Sequence, residues 1–63
     1  MKAYSTIEAI KFLHHNKDQV FVRINDEKFE LFRGNYGDIM MRIENMVKPL
    51  PIFNYYHDYW KLK

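Results

Sequence analysis

Sixty-three residues make one domain at most, and so short a chain leaves its core barely able to offset the conformational entropy of folding. The absence of cysteine excludes disulfides and thiolate zinc, so the support expected of a domain this small is close packing, histidine-bound metal or, as the first expectation, oligomerisation. A net charge of +2, with ten basic residues scattered along the chain, excludes a domain that coats polyanions, while 48% hydrophobic and 17% aromatic content excludes a disordered tail.

After Lys2 the residues Ala3-Tyr4-Ser5-Thr6 lead straight into charged positions, without the apolar stretch of a signal peptide, and no run approaches the length of a membrane span. A soluble, cytoplasmic protein is expected. Ser5-Thr6-Ile7-Glu8 fits a capping box, in which the serine oxygen accepts an early amide proton and the glutamate reaches back to the cap. The helix predicted from it runs over residues 6–15 and lays Ile7, Ala9, Ile10 and Leu13 on the core, with Glu8, Lys11 and His15 opposite and Phe12 off the stripe. Asn16-Lys17-Asp18 reads as a turn. Over 19–25, Val20, Val22 and Ile24 alternate with Phe21, Arg23 and Asn25, the pattern of a strand. Asn25-Asp26-Glu27-Lys28 then turns the chain into Phe29-Glu30-Leu31-Phe32-Arg33, completing an antiparallel hairpin that exposes Arg23 and Arg33.

Gly34-Asn35-Tyr36-Gly37 breaks the hairpin, and Asp38 is placed to cap a second helix carrying Ile39, Met40, Ile43, Met46 and Val47, stopped by Pro49 and Pro51. Met40 and Met41 widen its apolar arc enough to reach a second subunit. The last segment returns as a strand. The expected order is therefore helix, strand, strand, helix, strand in a single α+β domain, 1–63, with an antiparallel sheet.

Four constellations bear on chemistry. His14-His15 and His57-Asp58 do not make a metal site, because adjacent helical residues point about 100° apart, and His57-Asp58 has no nucleophile motif beside it. No metal, cofactor or catalysis is expected. Gly34-Asn35-Tyr36-Gly37-Asp38 runs towards a helix start as phosphate loops do, but it lacks the P-loop lysine, and Asp38 would repel an anion there. The terminal Ile52-Phe53-Asn54-Tyr55-Tyr56-His57-Asp58-Tyr59-Trp60 holds more rings than so small a core needs. As an extended segment it puts Phe53, Tyr55, His57 and Tyr59 on one face and Tyr56, Asp58 and Trp60 on the other. Tyr56, Trp60 and Leu62 then close the core, while Phe53, Tyr55 and Tyr59 meet a symmetry mate or stack on the ring of a ligand. Arg23 or Arg33 would take phosphates and Asn35 or Asn54 would read polar edges, giving Arg23, Arg33, Asn35, Tyr36, Asn54, Tyr55 and Tyr59 as candidate ligand contacts.

The helix segment Ile7-Glu8-Ala9-Ile10-Lys11-Phe12-Leu13, the strand after it, and the terminal Asp58-Tyr59-Trp60-Lys61-Leu62 resemble short phage proteins that include Thoeris anti-defence proteins of the second type. The likeness covers about twenty residues at the two ends, and its parallels at Ala9, Ile10, Leu13, Asp58, Trp60 and Leu62 are structural in kind. The resemblance implies a phage-encoded, non-enzymatic oligomer that sequesters a nucleotide immune signal. The alternative is an inhibitor or adaptor that docks its aromatic surface on a host protein; binding of single-stranded nucleic acid has the rings but lacks the charge density.

Overall fold

A computed structural model describes residues 2–63. The chain enters through a two-residue strand, β1 (Tyr4–Ser5), and turns into α1 (Thr6–His15) at the capping box read from the sequence. The Glu8 amide donates to Ser5 Oγ at 3.2 Å, and the Ser5 amide donates to Glu8 Oε1 at 2.9 Å. The Ser5 amide, donating to the carboxylate, favours its charged form and holds Glu8 below its ordinary pKa of 4.5. The buried arc of α1 is Thr6, Ala9 and Leu13, rotated from the expected stripe so that Ile7 is exposed and Phe12 packs inward. Aromatic neighbours decide this. Tyr4, Phe12 and Phe21 form an edge-to-face triad with centroids 5.0 to 5.7 Å apart, a geometry that aromatic quadrupoles favour.

The first hairpin forms as expected, with β2 (Val20–Arg23) antiparallel to β3 (Asp26–Arg33). Its turn is earlier and tighter than Asn25–Lys28, because Arg23 already pairs with Asp26 and the surplus residues enter β3 as an irregularity opposite Val22 and Arg23.

The expected second helix is instead a hairpin, β4 (Ile39–Ile43) and β5 (Met46–Pro49), closed by the two-residue loop Glu44-Asn45. Ile39, Met41 and Ile43 also satisfy a period of two, and β-branched Ile39, Ile43 and Val47 favour a pleated surface. Asp38 caps no helix; its carbonyl accepts from the Gly34 amide at 2.7 Å and closes the glycine loop. The terminal segment is also not continuous strand. Ile52–Tyr55 is a helical turn, α2, and only β6 (Tyr59–Leu62) is extended.

The six strands lie in the order β1-β6-β2-β3-β4-β5, all antiparallel, so the fold is α+β and dominated by its sheet. To reach its slot between β1 and β2, the chain leaving β5 at the far edge must cross the sheet. It crosses on the side covered by α1. Leu50 and Tyr55 of that crossing join Ala9, Leu13, Phe21, Leu31, Met41 and Trp60 in one hydrophobic cluster. The opposite face carries Val20, Val22, Glu30, Phe32, Met40 and Arg42, set there by strand alternation, and no element of the described residues covers it. Long ionic side chains screen part of this face: Glu30 bonds both Arg42 and Lys63, Lys61 pairs with Glu27, and Arg42 lies 4.5 Å over the Phe32 ring. Val22 is only 4% exposed beneath them. Among the described residues no helix is long and apolar enough to cross a membrane.

Candidate binding site at the glycine loop

The hairpin β3–β4 is joined by Gly34–Asp38, and depressions open on both sides of this loop. Gly37 has φ 86°, a conformation that penalises any side chain, and its amide donates to the Gly34 carbonyl at 3.0 Å. At Gly34 a Cβ would meet Met40 Cγ at 3.0 Å, so any larger residue there would have to push the methionine side chain aside by a few tenths of an ångström. The tight turn projects Tyr36 outward, 95% exposed.

Two depressions flank the loop and share Arg33, Gly34 and Asn35 as a common wall. One, of about 430 Å³, is also lined by Phe32, Tyr36, Asp38, Met40 and Val47. The other, of about 390 Å³, is lined by Lys17 and Asp18 from the turn after α1. The first is aromatic and apolar; the second carries two cations against one carboxylate. Both volumes lie within the range of small-molecule sites. Lys17 has no carboxylate partner among the described residues, while Arg33 donates to the His14 carbonyl at 3.2 Å and so also neutralises the C-terminal end of α1.

The seven residues expected to contact a ligand are thus divided. Arg33, Asn35 and Tyr36 converge at the glycine loop. Arg23, Asn54, Tyr55 and Tyr59 lie toward the other end of the strands, where Arg23 and Tyr55 pack on Phe29, four residues and roughly 13 Å along β3 from Arg33. There Arg23 is engaged within its own chain: its NH2 donates to Asp58 Oδ1 at 3.3 Å, and its guanidinium lies 5.0 Å from the Phe29 ring and 5.7 Å from the Tyr55 ring. Tyr55 is half-buried against Phe29, whereas Asn54 and Tyr59 are exposed. Trp60 is fully buried, and Tyr56 and Leu62, expected beside it, are exposed.

Nothing in the sequence pointed to Lys17 or Phe32 as ligand contacts, and Met40 stood out only as part of an apolar arc facing a second subunit. The signal was a register: once Phe32 is placed opposite Met40, both share a face beside the loop, and the turn after α1 comes to rest against Arg33. Thr6 was also missed. Its hydroxyl donates to the Tyr55 carbonyl and accepts the Trp60 indole N–H at 2.8 Å, tying the start of α1 to the crossing segment and β6. Among the described residues no three His, Asp or Glu side chains gather as metal ligands would. No family model, curated protein or solved structure matches this chain.

Proposed function

We propose that this chain is a small non-enzymatic binding protein that captures a nucleotide-like ligand at the glycine loop. The carrying observation is that a cationic depression and an aromatic depression adjoin across the wall formed by Arg33, Gly34 and Asn35. A nucleotide has the same division. Its phosphate would sit on Lys17 and Arg33, its ring on Tyr36, Phe32 and Met40, and Asn35 would bond the polar groups between them. Charge-assisted bonds to phosphate each contribute about 1.5 to 3 kcal/mol, and ring stacking about 1 to 3 kcal/mol, enough for selective capture without chemistry.

The biological reading follows from the resemblance at the two chain ends: a phage-type counter-defence factor that sequesters a nucleotide signal in the host cytoplasm, working as a homo-oligomer. Each copy then removes signal stoichiometrically. A thermal-shift titration with ADP, cyclic AMP and inorganic phosphate tests it. A nucleotide should raise the melting temperature more than phosphate does, and Lys17→Met and Tyr36→Ala should each abolish most of that rise. No stabilisation by any nucleotide, or the same stabilisation in both variants, would rule the reading out.

A further inference from the structure

The sheet face turned away from α1 is ordered in two rows that run across the strands. The register places Val20, Phe32, Met40 and Pro49 in one row over β2, β3, β4 and β5, and Val22, Glu30, Arg42 and Val47 in the other. The first row is apolar from end to end. The second has one anion and one cation at its centre, between two valines, and Val47 is 50% exposed. In sheet sandwiches such a face is covered by a second sheet about 10 Å away.

We infer that a second copy of this chain packs face to face on these rows, about a two-fold axis that runs parallel to the strands between β3 and β4. Rotation about that axis exchanges β3 with β4 and β2 with β5, and each row falls on its own counterpart. Glu30 then faces the partner's Arg42, Phe32 the partner's Met40, Val22 the partner's Val47 and Val20 the partner's Pro49. The charge pattern selects this axis. Moved onto β4, it sets Arg42 on the partner's Arg42; moved onto β3, it sets Glu30 on the partner's Glu30. Between β2 and β3 it sets Arg42 on the partner's Lys61, and turned across the strands it presses both ions on the apolar row. The Gly34–Asp38 loop joins β3 to β4 and so stands on the axis, which brings the two Tyr36 rings, 95% exposed in a single copy, to the same end of the dimer. Four strands about 4.8 Å apart and about five residues long offer roughly 300 Å² of plane per copy, below a standard interface, so a dissociation constant on the order of 10 µM is expected. The inference rests on the homo-oligomer of the proposed function, whose interface it names, and not on nucleotide capture.

Sedimentation velocity from about 1 µM to about 1 mM spans that constant and tests the interface, with Glu30→Lys and Arg42→Glu as variants whose folding is checked by circular dichroism. The parent should pass from monomer to dimer over the range. Each variant alone sets like charges across the axis and should dimerise about tenfold more weakly or worse, whereas an equimolar mixture of the two pairs every charge again and should dimerise nearly as the parent does. On the parent alone, dilution should move the amide NMR signals of Val20, Phe32, Met40 and Val47 and leave those of Ala9 and Leu13 in place. A parent that stays monomeric, variants that dimerise like the parent, a mixture that fails to recover, or dilution shifts on another surface would each overturn the interface. Undiminished dimers in the variants would leave the homo-oligomer standing on a different surface, and nucleotide stabilisation of a monomer would leave capture standing without it.

Discussion

At the scale of single residues, an inconspicuous one in the sequence ties three segments together. Thr6 looked like a helix-start residue of no special weight, yet its buried hydroxyl serves both the Trp60 indole and the Tyr55 carbonyl. Thr6→Val keeps the shape and removes the hydroxyl, leaving the buried Trp60 indole N–H unpaired while the Tyr55 carbonyl keeps its bond from the Asp58 amide, and should cost about 1 to 3 kcal/mol in a urea titration. Thr6→Ser should recover most of that. Trp60→Ala should cost more, about 3 to 5 kcal/mol, which rivals the whole stability of so small a domain. A Thr6→Val protein as stable as the parent would show that the hydroxyl network contributes nothing. Trp60 was legible as core from its place in the terminal strand; Thr6 was not, because the partners of a hydroxyl lie some fifty positions away and leave no local pattern. The two arginines show the same limit. Alternation placed Arg23 and Arg33 correctly on strands, but Asp58 and the end of α1 come to them only through the tertiary fold.

At the scale of elements, capping chemistry and the first hairpin were readable, and the second hairpin was not. Ser5 and Glu8 specify α1 through bonds three residues apart, so its limits follow from sequence alone. Residues 39–48 satisfy both a helical and a strand period, and the turn residue that would have decided between them is absent. The loop Glu44-Asn45 has no glycine, and Glu44 itself adopts φ 55°. In β5, Met46–Pro49, the alternation of the pairing turns the nitrogen of Pro49 outward, so the free edge lacks a donor there and resists further strand addition. The uncovered sheet face is held by Glu30, whose carboxylate is kept below its ordinary pKa of 4.5, first by its hydrogen bond from Lys63 and then by that from Arg42. A carboxyl depressed in the folded state stabilises the protein above its unfolded value. That contribution is lost as pH falls below about 4.5 and through the lower folded value. Glu30→Gln should therefore lower the melting temperature at neutral pH and shrink its fall on acidification. Parallel acid profiles for parent and variant would show that the network does not stabilise the fold.

At the scale of the whole molecule, one helix and one crossing segment cover one face of a six-stranded sheet, and both ends of the strands carry exposed rings. Composition alone showed the surplus of aromatic residues; it could not show that they divide between two ends. Phe53, at 96% exposure, and Tyr36, at 95%, contribute almost nothing to the internal core. Rings left in water at that degree return no packing, and under the proposed reading they serve association. The uncovered strand face next to the glycine loop gives a second copy room to lie against the nucleotide depression, which accords with capture by an oligomer.

Native mass spectrometry of the protein mixed with ADP and cyclic AMP reads the assembly and its ligand together. The account predicts a species at a multiple of the 7.8 kDa protomer, carrying up to one nucleotide per copy, with the adduct lost in Tyr36→Ala. A solitary protomer that retains no nucleotide would contradict it.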